Sequence, residues 1–143
     1  MPRPKRNFQS NSFYHIYNRG NNRDTVLKLA SDKQIFVNLL YRNKDKCQIR
    51  LVNYCIMDNH FHLIVKTGKD PKNLSKFMQR VLTSFAIQIN KKHQRIGHTF
   101  QGRYNANLLL YKKDLVRAIN YVRQNPVQEG LVRKPSEYPW TKE

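Results

Sequence analysis

The chain has 143 residues, with 27 lysines and arginines against 9 aspartates and glutamates, which gives a formal net charge of +18 and a pI of about 10.3. This excess predicts a polyanionic partner, and nucleic acid is the first candidate. The carboxylates are few and scattered, which argues against two-metal nucleases and carboxylate-triad enzymes, and a GxxxxGK[ST] loop for ATP-driven chemistry is absent.

The length predicts one domain over residues 1–143. The chain lacks a long apolar run, an N-terminal signal pattern and a lipidation motif, so we expect a cytoplasmic, nucleoid-associated protein without a membrane partner. Two cysteines, Cys47 and Cys55, are too few for a disulfide framework or a four-cysteine zinc site. Reduced thiols are therefore expected.

The N-terminal third of the chain predicts an arm, a strand and a helix. Residues 1–11 carry three cationic side chains among prolines and have no helical or strand period, which predicts an extended basic arm suited to phosphate contacts; they are Arg3, Lys5 and Arg6. Residues 12–19 alternate like a strand and end at a Gly-Asn-Asn loop. Asp32 is predicted to be the N-cap of a helix that continues to about Lys44.

A β-hairpin is predicted next, with two histidines on its second strand. The residues from Leu51 to Met57 are mostly apolar, Asp58-Asn59 suits a two-residue turn, and residues 61–65 resume the β-rich pattern. Because alternate side chains of a strand share a face, His60 and His62 point the same way and can bind one metal ion. Two surface histidines on a half-exposed strand are the alternative interpretation.

The remaining pattern completes an α+β fold. An apolar stripe from Leu74 to Ile89, with Pro71 near its start, predicts a second helix. A fourth strand is predicted over residues 104–111, and Asp114 is expected to cap a third helix that ends at Pro126. The predicted order is that of a ferredoxin-like, antiparallel split βαβ sheet with an appended C-terminal helix.

The last predicted helix carries Tyr121 and Asn125, whose four-residue spacing stacks their side chains on one helical face. A nucleophile candidate and an oxygen ligand therefore lie together. Gln124 is a rival donor of an amide oxygen, because Asn125 precedes proline and its direction is open. The alternative interpretation is a core tyrosine and an asparagine that terminates a helix.

Several motifs in this order resemble the HUH single-tyrosine transposases, in the branch related to REP-associated tyrosine transposases. The matching stretches span nearly the whole chain: residues 13–20, 54–65, 97–104, 121–127 and 137–140. The resemblance implies that His60, His62 and Asn125 bind Mg²⁺ or Mn²⁺ and that Tyr121 is the nucleophile.

The resemblance also implies the reaction and the substrate. Tyr121 would form a 5′-phosphotyrosine link while cleaving and rejoining single-stranded DNA at a hairpin, and a homodimer is possible because some relatives exchange their tyrosines between subunits. The candidate DNA contacts are Arg3, Lys5, Arg6, Arg19, Gln101 and Arg103.

Two other functions compete with this one. A non-catalytic single-stranded nucleic-acid-binding module would use the basic charge and stacking aromatics, but the chain has no convincing RNP1 pattern. A zinc-dependent phosphoesterase would use His60, His62 and Cys55, since Cys55 faces His62 in the simplest hairpin register.

Overall fold

The computed structural model describes residues 6–20 and 26–142. This part of the chain contains five strands and three α-helices, and a short 3₁₀ helix at Pro135–Glu137. In chain order they are β1 (Phe13–Arg19), α1 (Ala30–Lys46), β2 (Arg50–Ile56), β3 (His60–Lys66), α2 (Lys72–His93), β4 (Asn105–Leu109), α3 (Lys112–Gln128) and β5 (Thr141–Lys142).

The strands form one antiparallel sheet in the order β4-β1-β3-β2-β5. β3 lies between β1 and β2, and β1 lies between β3 and β4, so each of the two βαβ units is split by a strand of the other. The predicted ferredoxin-like α+β fold is therefore confirmed. Residues 1–5 of the predicted basic arm, including Arg3 and Lys5, lie outside the described residues, and residues 6–11 form no helix or strand.

The two faces of the sheet have different partners because strand side chains alternate. Phe61, Leu63 and Val65 of β3 pack into the larger core with apolar residues of α1 and α2. Ile64 faces the other way, into a smaller cluster with Ala118 and Val122 of α3. His60 and His62 share the face of Ile64, so strand periodicity directs both imidazoles to the α3 side.

The larger core is rich in aromatic rings. The Phe36 ring centroid of α1 lies 4.9 Å from that of Phe61 in β3 and 5.1 Å from that of Phe85 in α2. All three side chains are fully buried, and burial of a phenylalanine stabilises a fold by about 1.5–3 kcal/mol. These rings join both helices to the strand that carries the histidines.

The aspartates predicted as N-caps have other roles. α1 begins at Ala30 with Leu29 as its N-cap, and Asp32 lies in the first turn. Its buried carboxylate accepts hydrogen bonds from Lys92 and His93 at the end of α2. The prediction that Asp32 caps α1 is therefore wrong, because its partners are these two distant side chains on α2.

The N-cap of α3 is also three residues earlier than predicted. Tyr111 is its N-cap residue, and Asp114, at the third helical position, accepts a hydrogen bond from the Tyr111 backbone N–H at 3.3 Å. A carboxylate at this position satisfies a backbone donor before the first turn, as the second half of a capping box does. The prediction that Asp114 is the N-cap itself is wrong.

Pro126 lies inside α3 and does not end it, contrary to the prediction. Proline removes only its own N–H from the helix. The following donors remain paired: the Glu129 N–H bonds the Asn125 carbonyl at 3.0 Å and the Leu131 N–H bonds the Pro126 carbonyl at 3.0 Å. Asn125 is therefore a helical residue with a defined direction.

The C-terminal segment adds contacts that the sequence patterns did not predict. The buried Tyr138 hydroxyl donates a 2.6 Å hydrogen bond to the Ile56 carbonyl at the end of β2. Thr141 and Lys142 then pair with Cys55 and Tyr54. Across residues 6–20 and 26–142, no helix has the length and apolar character needed to cross a membrane.

Candidate active site

The β2–β3 hairpin has the predicted two-residue turn. The Met57 N–H donates to the His60 carbonyl at 2.8 Å, which leaves Asp58 and Asn59 as the turn residues. Cys55 pairs with His62 across the hairpin, as the simplest register predicts.

The turn before His60 is held by residues from three other parts of the chain. The Lys33 Nζ of α1 lies 2.7 Å from the Asp58 carboxylate. Backbone N–H groups of Leu27 and Gly20 donate to the carbonyls of Asp58 at 2.9 Å and Asn59 at 2.7 Å. These contacts restrict the turn and hence the direction of His60.

His60 is oriented by amide oxygens on both sides of its ring. Its Nδ1 lies 2.7 Å from the Asn59 side-chain oxygen, and its Nε2 lies 3.3 Å from the Asn125 side-chain oxygen. Both amide oxygens only accept hydrogen bonds, so a neutral ring donates to one of them alone, and the shorter contact favours a hydrogen on Nδ1 that is donated to Asn59. The Nε2 lone pair and the Asn125 oxygen then face the same point.

His62 lies beside His60 with its ring edge against Tyr121. The ring centroids of His62 and Tyr121 are 5.4 Å apart at an interplanar angle of 86°. The Nδ1 of His62 lies 3.0 Å from the Nε2 of His15, which reaches across from β1. His15 therefore belongs to the surroundings of the histidine pair, although no sequence pattern predicted it.

Burial keeps these imidazoles neutral. Desolvation is the main cause that lowers the pKa of His62 to about 3, and unfavourable electrostatic interactions with the neighbouring His15, His60 and Arg19 lower it further. Burial likewise lowers the pKa of His60 and of His15. A neutral imidazole has a free lone pair, so both hairpin histidines are available as metal ligands near pH 7.

α3 presents Tyr121 and Asn125 to the histidines from the same helical face. The Tyr121 side chain is 47% exposed, whereas Asn125 is only 5% exposed and contacts His60. The rival Gln124 is exposed and does not line the cavity described below. The structure therefore brings Asn125, and not Gln124, to the histidine pair.

A cavity of about 440 Å³ collects most of the predicted site residues. The predicted residues that line it are His60, His62, Arg19, Gln101, Arg103, Tyr121 and Asn125. Arg6 lies elsewhere, where its guanidinium stacks 4.0 Å from the centroid of the Tyr104 ring and lines a neighbouring pocket. Arg6 is thus not brought to the histidines.

Sequence reasoning missed Glu129, which lines the cavity one helical turn beyond Asn125. The expected helix end at Pro126 removed it from consideration, although the spacing of Tyr121, Asn125 and Glu129 is a continuous four-residue repeat. Asn59 was also missed, because it was assigned only to the turn and not to the orientation of His60.

The donor set suits a hard divalent cation. Octahedral Mg²⁺ has ligands at about 2.1 Å, so adjacent ligand atoms lie about 3 Å apart, close to the 3.3 Å between His60 Nε2 and the Asn125 oxygen. Two imidazole nitrogens and one amide oxygen leave positions for phosphate oxygens. His60 and Asn125 are therefore spaced as two ligands of the implied cation would be, and His62 lies on the same face of the sheet.

The alternative zinc site with Cys55 does not fit the structure. Cys55 is fully buried in the smaller apolar cluster, and its Sγ donates to the Met57 sulfur at 3.4 Å. Burial raises the pKa of the Cys55 thiol to about 12, which favours the protonated thiol over a thiolate in the metal-free protein. Among the residues that the structure describes, no three His, Cys, Asp or Glu side chains are grouped to hold a metal.

The fold and the cavity define an α+β protein in which a strand-borne histidine pair faces a helical tyrosine. A sequence model of the family described as "Transposase IS200 like" matches residues 8–125, and the chain belongs to this family. The resemblance inferred from the motifs is thereby confirmed.

One sequence relative and two solved structures also carry the word transposase in their names. A Haemophilus influenzae protein with the name "Putative REP-associated tyrosine transposase" is 25% identical over 99 residues, which cover 63% of this chain. The matched stretch covers only 56% of that relative's length.

Solved structures share the fold. The structure of a REP-associated tyrosine transposase bound to a REP hairpin superposes with a TM-score of 0.78 at 17% identity, covering 99% of this chain and 82% of the other. The crystal structure of a Deinococcus radiodurans protein described as a "putative transposase" superposes with a TM-score of 0.58 at 13% identity. The match covers 85% of this chain and 95% of the other.

Proposed function

We propose that the protein is a metal-dependent single-stranded DNA endonuclease and strand transferase that acts through a 5′-phosphotyrosine intermediate at a DNA hairpin. One observation carries the proposal: Tyr121 lines the same cavity as His60, His62 and Asn125. A nucleophile, a neutral histidine pair and an amide oxygen at one place are the parts that this reaction requires.

The cation in this proposal is Mg²⁺ or Mn²⁺, held by His60, His62 and Asn125. When bound, it would offset the charge of the scissile phosphate and orient it for in-line displacement. The neutral state of both imidazoles supports this role, since burial lowers their pKa values. Asn125 adds a neutral oxygen. Because all three protein ligands are uncharged, the positive charge of the ion would remain available to attract the DNA phosphate.

Tyr121 supplies the nucleophile in the proposed reaction. Its phenol loses one proton as the oxygen attacks phosphorus, the new O–P bond replaces the bond to the 3′ oxygen, and that oxygen gains one proton and leaves as a 3′ hydroxyl. One ester replaces another, so the strand can be rejoined without a nucleotide cofactor. The half-exposed position of Tyr121 makes the hydroxyl reachable from solvent.

Three residues on the rim of the cavity support a DNA substrate. Arg19, Gln101 and Arg103 line it together with the histidines, and such side chains commonly contact phosphate oxygens. The hairpin is proposed from the relative whose solved structure is bound to one.

A single copy of the chain holds every part of the proposed site. Tyr121 and the two histidines line one cavity within one molecule, so the chemistry does not require a tyrosine from a second subunit. We therefore propose that a monomer is able to cleave, whether or not a homodimer forms.

A covalent-adduct assay tests the proposal. Hairpin oligonucleotides with single-stranded flanks, labelled at the 3′ end, are incubated with protein and Mg²⁺ or Mn²⁺ and separated under denaturing conditions. We expect a protein–DNA band that retains the 3′ label, while a 5′ label leaves on a fragment with a free 3′ hydroxyl. Tyr121→Phe should abolish the band by removing the attacking oxygen.

Tyr111→Phe is the matched control, since Tyr111 caps the same helix but does not line the cavity. This variant should retain the band. A band that persists in Tyr121→Phe would assign the nucleophile elsewhere. A wild-type protein that binds the hairpin in a salt-sensitive manner but forms no adduct would instead be a non-catalytic binding module.

A further inference from the structure

His15 contacts the proposed metal ligand His62 but has no role in the site as described so far. It lies on β1, where it pairs with Ile64, while its neighbour Tyr17 pairs with His62. The His15 ring therefore reaches diagonally along the sheet, and its plane lies 28° from that of His62 with centroids 5.2 Å apart. Its Nε2 is 3.0 Å from the His62 Nδ1.

A hydrogen bond between these two nitrogens requires one of them to carry a hydrogen and the other to be bare. If His62 Nδ1 donates, the neutral His62 ring has a bare Nε2 that can bind a cation. If His15 donates instead, the hydrogen of His62 is on Nε2 and the ring cannot bind through that atom. The contact thus selects between a binding and a non-binding tautomer.

We propose that His15 is a positioning residue that accepts a hydrogen bond from His62 Nδ1–H and so keeps the His62 Nε2 bare and directed into the cavity. The inference rests on the proposed function, because it assigns His62 as a metal ligand. Hydrogen-bond acceptors behind metal-bound histidines commonly set the tautomer and ring direction.

His60 has the same arrangement, which supports this direction of donation. Its Nδ1 faces the Asn59 amide oxygen at 2.7 Å, so an acceptor also lies behind this ring. The His60 Nε2 lies 3.3 Å from the Asn125 oxygen, and the His62 ring lies 5.4 Å from the Tyr121 ring between centroids, so both rings are next to α3. His60 and His62 would then be oriented in the same way, by a hydrogen-bond acceptor next to Nδ1.

Manganese affinity provides the first test. Titration of Mn²⁺ into His15→Ala, followed by electron paramagnetic resonance, should give binding about 10- to 100-fold weaker than wild type. His15→Gln should recover part of the affinity, because its amide oxygen can accept from His62. Asn107→Ala is the control: Asn107 pairs with His15 from β4 and is exposed, and its loss should leave the affinity unchanged.

Nitrogen NMR of the metal-free protein provides the second test and needs neither metal nor DNA. The ¹⁵N shifts of His62 should report a hydrogen on Nδ1 in the wild type and a mixture of tautomers in His15→Ala. A hydrogen on Nε2 in the wild type, or an unchanged Mn²⁺ affinity in a folded His15→Ala protein, would overturn the proposal.

The failure of this inference is distinguishable from failure of the proposed function. A wild-type protein that forms no DNA adduct contradicts the transferase reaction, whereas the His62 tautomer is read without that reaction. A covalent adduct together with the wrong tautomer would retain the function and remove the role of His15.

Discussion

Asn125 contributes one amide oxygen, 3.3 Å from His60 Nε2, from the buried side of α3, whereas its neighbour Gln124 faces solvent. Asn125→Ala should weaken Mn²⁺ binding by about tenfold or more, since it removes a ligand. Gln124→Ala should leave it unchanged. Calorimetric titration of the two variants measures this difference, and equal losses would mean that Asn125 is not a ligand.

The sequence predicts the orientation of the two hairpin histidines but not that of Asn125 or His15. The common face of His60 and His62 follows from strand periodicity, which needs only local information. The direction of Asn125 did not follow, because an asparagine before proline is typical of a helix end. The contact between His15 and His62 depends on how β1 and β3 pair, and a single strand's pattern does not contain that register.

At the scale of elements, α1 carries two lysines whose ion pairs differ in burial. Lys33 is 6% exposed at its side chain and bonds both the Asp58 carboxylate and the Lys28 carbonyl. Lys44 pairs with Asp45 at the surface, where the carboxylate is 83% exposed. Lys33 is buried although its partner Asp58 is 48% exposed, so this pair is screened less by water than the Lys44 pair and should lose more when its lysine is removed.

Lys33→Met should therefore lower the free energy of unfolding by about 2–3 kcal/mol, because methionine replaces the apolar stem but not the hydrogen bonds. Lys44→Met, in the same helix, should change it by less than about 0.5 kcal/mol. Urea denaturation of both variants tests this comparison. Similar losses would mean that the Lys33 contact does not stabilise the turn before His60.

The helices and strands were predicted more completely than their ends. Apolar periodicity located β1 to β4 and the three helices, because the residues that alternate or recur are those that the core buries. The predicted N-cap of α1 was wrong because the carboxylate of Asp32 bonds Lys92 and His93, more than fifty residues away on α2. β5 has only two residues, which is too short for any period to appear.

For the molecule as a whole, buried histidines link stability to pH. The pKa of His62 is lowered to about 3, and those of His15 and His60 are lowered as well. Below the ordinary value near 6.5 the unfolded chain binds protons that the folded chain does not, so acidification favours unfolding. The contribution is absent above pH 6.5 and increases as the pH falls toward 3.

The metal-free protein should therefore lose stability between pH 7 and pH 5, with His62 alone accounting for about 2 kcal/mol. Urea denaturation at the two pH values measures this loss, and His62→Asn should show a smaller one. An identical pH dependence in the wild type and the variant would contradict the assignment of the loss to His62.

The two-residue turn at Asp58-Asn59 also constrains which insertions and deletions the gene can tolerate. Adding or removing one residue there would shift β3 by one position against its neighbours and exchange its two faces. Phenylalanine and leucine would then lie beside Tyr121, and both imidazoles would enter the aromatic core. A change of two residues would keep each β3 side chain on its present face of the sheet. Length variation at this turn should therefore come in even numbers of residues.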